Sequence, residues 1–183
     1  MKLSAEDFGI LNITEIDQAI INKFDCGIDN LNSFLYEEAL TLHQNKISFT
    51  NCLFHSDFDG VAAYYSMAHN SIKLNESEFF ELGVNTQIVI HQIPSVLICK
   101  LALDYQLHGH KNGKNILDLA IGSIIESNSP SAARLVVVDS VKEPKVINFY
   151  EEYGFRKSNF ALKKAKSERS ETVKMFLDIF SDN

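Results

Sequence analysis

The hydrophobic positions of this chain switch between a two-residue and a three-to-four-residue spacing, the signatures of strand and helix. The change is sharpest across residues 100–125, KLALDYQLHGHKNGKNILDLAIGSII. Residues 100–104 are mostly apolar, with branched Leu101 and Leu103 flanking Ala102, as in a buried strand. Residues 106–114 are polar and hold Gly109 and Gly113; Ile116, Leu117, Ala120, Ile121, Ile124 and Ile125 then recur at helical spacing. The pattern predicts a strand, a tight turn and an amphipathic helix. A glycine-bearing turn feeding a helix N-terminus gathers free backbone N–H groups and the positive end of the helix dipole, a setting suited to phosphate. His108, His110, Lys111 and Lys114 add potential positive charge there. An ordinary strand–loop–helix connection fits the same residues about equally well.

The rest of the chain follows the same two spacings. Residues 8–13 are expected as a strand, and 24–27 as an extended piece ending at a glycine turn. Leu31, Phe34, Leu35, Ala39 and Leu42 mark one face of a helix over 29–43, with Asp29 or Asn30 as its cap. Residues 48–55 and 61–68 read as a hairpin around an Asp/Gly-rich turn at 56–60. A short helix over 76–82 and a strand at 87–91 follow. Pro94 precedes a strand at 96–103, and a polar loop is expected at 127–131. The run RLVVVD at 134–139 is that of a strand buried on both faces. A helix over 145–153 stops at Gly154. A strand at 155–160, a charged loop at 161–170 with a mobile tip, and a strand at 172–180 close the chain. There is no internal repeat and no linker, so one domain over 1–183 is expected. Its class is α/β (α+β), a mixed sheet with helices on both faces.

Composition narrows the field. The 183 residues are 45% hydrophobic and 22% charged, ordinary for a soluble globular protein. The polar start MKLSAEDFGI and the lack of a membrane-length apolar run point to the cytoplasm, away from membranes. Cys26, Cys52 and Cys99 are odd in number and widely spaced, which argues against a disulfide framework or a zinc site. His108 and His110 lack a third ligand nearby, so no metal is expected. Charge is uneven. Residues 1–99 carry four Lys or Arg against thirteen Asp or Glu; residues 100–183 carry thirteen against eleven. Seven of the basic residues fall between Arg156 and Lys174. Arg156, Lys157, Lys163, Lys164, Lys166 and Arg169 suit either an RNA backbone or a solvated face.

These pieces resemble the GNAT acyltransferase superfamily over roughly residues 24–180. Gln106 and Gly109 match its acetyl-CoA loop, Gln/Arg-x-x-Gly-x-Gly/Ala, and Gly113 matches a further frequent glycine. Lys111 stands where Gly or Ala is usual; at negative φ it would still present its N–H and add a charge contact. Phe149-Tyr150-Glu151-Glu152-Tyr153-Gly154-Phe155 is similar to the family's FYxxxGF helix end. Phe24-Asp25-Cys26-Gly27 with Leu31, Phe34, Leu35 and Ala39 is similar to the opening of the toxin-type branch from toxin–antitoxin modules. Tyr64-Tyr65-Ser66 after Gly60, the strand 100–104, and Val138-Asp139 fit that branch too.

The resemblance implies a centrally splayed sheet that opens between two parallel strands and receives acetyl-CoA as co-substrate. Leu101, Ala102 and Leu103 would offer backbone to the thioester. Gln106, His108, Gly109, His110, Lys111, Gly113 and Lys114 would hold the diphosphate. Tyr150 would be the general acid; its other role is packing beside Val146, Phe149 and Tyr153. The implied reaction is direct acetyl transfer to an amine. The toxin branch acts on the α-amino group of aminoacyl-tRNA, which at a pKa of roughly 7.7–8.0 is substantially neutral and needs little base. The resemblance also implies an antitoxin protein and a homodimer as partners. A small or protein amine as acceptor, or binding of CoA or a partner without catalysis, remain alternatives. Glu81, Asp104, Asp139 and Glu143 are bases by type but are expected as solvated surface carboxylates. Cys26 and Cys99 are expected as small buried hydrophobes. Tyr64, Tyr65 and Ser66 face either the acceptor groove or the core.

Overall fold

The computed structural model describes residues 2–83, 92–126, 132–168 and 170–180, with 164–168 described by backbone alone. The strand expected at 87–91 and the loop expected at 127–131 lie outside the described residues. Among the described residues seven strands are present: β1 Phe8–Asn12, β2 Phe49–His55, β3 Phe58–Ile72, β4 Ile93–Leu103, β5 Leu135–Val141, β6 Arg156–Lys157 and β7 Thr172–Asp178. Their hydrogen-bonded order is β1-β2-β3-β4-β5-β7-β6. The sheet is mixed as expected: β4 and β5 are parallel, whereas β1–β2, β2–β3, β5–β7 and β6–β7 are antiparallel. The helices are α1 Gln18–Ile21, α2 Asp29–Ser33, α3 Ala39–Gln44, α4 Glu76–Glu81, α5 Asn112–Glu126, α6 Pro144–Tyr153 and α7 Asn159–Glu168. The chain divides into two compact units, each discontinuous in sequence. One is Met1–Ala68 with Cys99–Ser127, the other His69–Ile98 with Asn128–Asn183.

In the first unit both faces of the β2–β3 hairpin are covered, while β1 is largely exposed. Cys52, Val61, Tyr64 and Ala102 pack with Phe24, Phe34, Leu35 and Ala39 from the α2–α3 region. On the opposite face Leu53, Ala63 and Tyr65 pack with Ile116 and Ala120 of α5. The expected stripe of α5 ends early, because Ile125 is exposed. The helix expected over 29–43 is broken by a π-helical turn, Phe34–Glu38, between α2 and α3. Neither Asp29 nor Asn30 caps it; Ile28 holds that position and makes no side-chain cap bond. The hairpin is tighter than expected: β2 ends at His55 and β3 starts at Phe58, placing Gly60 inside β3 near a register shift. β3 also runs on to Ile72, through a half-exposed stretch whose polar residues concealed it.

In the second unit residues 93–98 of β4 pair with β5 from Ser95↔Leu135 to Ile98↔Val138. Pro94 lies inside this strand rather than before it, its carbonyl accepting the N–H of Arg134 at 3.0 Å. Leu135–Val138 is fully buried, as its apolar run predicts. Leu135, Val137 and Phe176 pack with Ile72, Leu74, Leu82 and Ile93. The strand expected at 155–160 shrinks to the two residues of β6, and the loop expected at 161–170 is largely α7. The cause is a well-capped helix start. Ser158 Oγ accepts the N–H of Ala161 at 3.2 Å, and Glu78 Oε1 of α4 accepts the N–H of Asn159 at 2.7 Å.

Candidate functional site

In the first unit the chain leaves β4 through a turn anchored at both ends. Asp104 N–H donates to Ala62 O on β3 at 2.9 Å. By strand alternation, the N–H of Ala102 points the same way and those of Leu101 and Leu103 point to the other edge. Asp104 is buried: Oδ1 accepts from Gln106 N at 3.0 Å, Oδ2 from Asp25 N at 3.3 Å. Tyr105 N–H returns a bond to Asp25 O at 2.9 Å. The Asp25 carboxylate also accepts from Gly27 N and Asn32 Nδ2, which hold its pKa below the ordinary value. Tyr105–Leu107 forms one 3₁₀ turn, and His108 donates from Nε2 to Leu103 O at 2.9 Å. Gly109 and Lys111 then both take positive φ, 85° and 61°. Lys111 therefore does not meet the condition of negative φ under which it was to present its N–H. It occupies the left-handed conformation that glycine favours, at a cost of roughly 1–2 kcal/mol. α5 starts at Asn112. Among the described residues, the N–H groups of Gly109, His110, Lys111 and Gly113 have no acceptor. Together with the dipole of α5, Lys111 and Lys114, they make an electropositive, donor-rich turn.

In the second unit α6 begins with Pro144 in its first turn and ends at Gly154, whose φ is 114°. Phe155 N–H donates to Tyr150 O at 2.9 Å, closing the helix end. The reversal brings Phe155 edge-on to Tyr150, ring centroids 5.3 Å apart, with Phe149 at 5.1 Å on another side. Tyr150 is thus 9% exposed, and burial pushes its pKa up to about 12. Its hydroxyl makes no hydrogen bond among the described residues. Such a group keeps its proton at neutral pH and is free to donate it.

No family model matches the chain. Solved structures do. AtaT complexed with acetyl-methionyl-tRNAfMet aligns with a TM-score of 0.74 at 22% identity, over 94% of this chain and 95% of that one. A tyrosine-to-phenylalanine mutant of the AtaT toxin, bound to the C-terminus of the antitoxin AtaR and acetyl-CoA, aligns at 0.67 and 20% identity, over 94% and 93%. A tyrosine-to-phenylalanine mutant of KacT aligns at 0.71 and 21% identity, over 94% and 95%. The fold of this chain is the GNAT type.

On the GNAT-type frame the remaining candidates sort themselves. Tyr64, Tyr65 and Ser66 are all fully buried, so the groove role is withdrawn for the three. Tyr64 donates to Leu31 O at 2.8 Å, Tyr65 bonds Ser123 Oγ at 3.3 Å and accepts from Asn51 Nδ2 at 3.2 Å, and Ser66 Oγ meets Thr50 Oγ1 at 3.0 Å. Cys26 is buried against Asn32 and Cys99 is half-buried; burial pushes the Cys26 thiol up. Asp104 is not the surface carboxylate expected of it, because it caps the turn. Glu81 pairs with Arg156 at 2.8 Å, Asp139 with Lys174 at 2.8 Å, and Glu143 is exposed at the start of α6. Lys157 pairs with Glu151 at 2.9 Å, and Lys163 is exposed. The side chains of Lys164, Lys166 and Arg169 lie outside the described residues. Gln106, His110, Lys111 and Lys114 are exposed. Sequence reasoning gave no role to Asp25 beyond its place in a motif and missed Asn32 and Asn112, single polar residues whose individual hydrogen bonds carry no periodic signal. Among the described residues there is no group of three metal-ligating side chains, and no helix is long and apolar enough to cross a membrane.

Proposed function

We propose that this chain is an acetyl-CoA-dependent N-acetyltransferase whose acceptor is the α-amino group of an aminoacyl-tRNA. The observation that carries the proposal is the set of four unpaired N–H groups at 109–111 and 113, leading into the first turn of α5 and beside Lys111 and Lys114. A diphosphate suits that arrangement. The AtaT complexes with acetyl-CoA and with acetyl-methionyl-tRNAfMet support the choice of donor and acceptor.

The chemistry asks little of the side chains. The amine nitrogen bonds to the thioester carbonyl carbon, the carbon–sulfur bond breaks, and the sulfur leaves with its electron pair. Tyr150 supplies the proton to that sulfur and recovers one from the acylated nitrogen through solvent. The N–H groups of Leu101 and Leu103, turned away from β3, are the backbone donors for the carbonyl oxygen; Ala102 is not, because its N–H points to β3. A neutral α-amine needs no dedicated base. Accordingly no carboxylate is assigned that role.

The test is calorimetric titration with acetyl-CoA, followed by transfer of labelled acetyl to charged tRNA, polyamines and peptides. Binding and acetylation of the aminoacyl group are expected. Transfer to polyamines or peptides alone would replace the acceptor. No binding of acetyl-CoA would overturn the proposal.

A further inference from the structure

The turn before α5 is fastened from outside by a segment remote in sequence. Asn112 is only 1% exposed. Its Oδ1 accepts the N–H of Leu3 at 2.9 Å, and its Nδ2 donates to Leu107 O at 2.9 Å. Leu3 is held a second time, its carbonyl accepting from Asn115 Nδ2 at 3.0 Å. The Leu3 side chain is buried with Ala62 and Leu107. One amide therefore bridges the residue before the 108–111 loop and the residue after it, and its other end is occupied by the backbone of Leu3.

We propose that Asn112 and Leu3 form a positioning pair that sets the 108–111 loop for the diphosphate of the acyl donor. This rests on the function proposed above. The loop holds two left-handed residues, Gly109 and Lys111. A strained non-glycine conformation persists only where its surroundings over-determine it. The Asn112 amide supplies that constraint: it fixes the loop's chord between Leu107 and Asn112 and is itself locked, because both of its ends are satisfied in a buried site. Without it the loop can relax Lys111 toward negative φ and scatter the N–H groups that would converge on a diphosphate. Asn112 acts through these groups and needs no contact with the donor.

The test compares acetyl-CoA with S-acetylpantetheine, which carries the thioester but no diphosphate, using charged tRNA as acceptor. Asn112→Ala should raise KM for acetyl-CoA about tenfold with kcat held, while kcat/KM for S-acetylpantetheine changes by less than about twofold. Asn115→Ala removes one bond to Leu3 and leaves Asn112 in place. It should give a rise of about threefold in KM for acetyl-CoA, and it carries the test where Asn112→Ala does not fold. A merely structural role would lower both donors alike. Equal losses, or no change in proteins that fold, would overturn the inference. If the unaltered protein bound no acetyl-CoA, the function proposed above would fall, and this pairing with it.

Discussion

The 104–113 turn and the 149–155 helix end are both places where the chain leaves regular structure through a left-handed residue, yet they are built to opposite ends. At the helix end that residue is Gly154, which takes φ 114° without a Cβ to strain. Its N–H and that of Phe155 are both spent on α6 carbonyls, and aromatic rings close around Tyr150. At the turn the residue is Lys111, which takes φ 61° with a full side chain, and the N–H groups around it are unspent. One region is closed by helix-end hydrogen bonds and by aromatic rings packed on a single tyrosine side chain. The other is strained, exposed and rich in donors. On the proposed function, the turn would bind through the N–H groups it leaves unpaired, and Tyr150 would hold its proton because burial keeps it from ionising.

Removing the hydroxyl from the satisfied region tests its half of the contrast with the largest expected effect. Tyr150→Phe should lower kcat roughly a hundredfold or more and leave acetyl-CoA affinity unchanged. Because the hydroxyl has no partner to lose among the described residues, stability should stay within about 0.5 kcal/mol. Unchanged turnover would make Tyr150 a packing residue. The pH profile adds a second reading. Burial raises this pKa from the ordinary 10.0 to about 12, so the acid should stay competent above pH 10. The sign for stability follows: the unfolded tyrosine ionises first, so stability from this group holds below pH 10 and falls as pH rises toward 12. A fall in rate of tyrosine origin near pH 9 would contradict the burial.

Gly154→Ala probes the same region through its backbone. A Cβ there meets Leu177 Cδ1 at 3.5 Å, an ordinary contact, so the cost is conformational. About 1–2 kcal/mol of destabilisation is expected, read by thermal or urea unfolding. If Gly154→Ala were neutral, the reversal that brings Phe155 onto Tyr150 would not depend on glycine, and the contrast between the two regions would narrow.

Such dependence on a single residue explains what could be read beforehand. β2, α5 and α6 were legible because their burial follows the period of the element, and β5 because its continuous apolar run is buried on both faces. The polar turn and Gly109 were legible because glycine and polarity mark a chain reversal. α7 was not: its basic residues mask a helix whose start is fixed by Ser158 and by Glu78 from α4, a contact 81 residues apart. The far end of β3 was hidden by its polarity. The π-helical turn at Phe34–Glu38 shifts the helical phase without changing composition. Of the candidate site, the donors were visible and their supports were not, since Asp104, Asn112 and Leu3 act through individual hydrogen bonds. The sign of φ at Lys111 was likewise out of reach, because it is imposed by the closed loop around it.

The smallest effect is the most discriminating for the turn. Lys111→Gly removes the Cβ that resists φ 61° and should raise stability by roughly 1 kcal/mol, about 2–4 °C in Tm for a chain of this size. Lys111→Ala keeps the Cβ, removes the charge, and should give no such gain. The pair separates strain from electrostatics. If both variants stabilised equally, repulsion of Lys111 by Lys114 would be the source, and the strained character assigned to the turn would fail. If only glycine stabilised, the lysine is kept at a conformational cost. Acetyl-CoA affinity then shows what that cost accompanies: Lys111→Gly should bind the donor more weakly despite the relieved backbone, because an ammonium group beside the unpaired N–H groups has been lost.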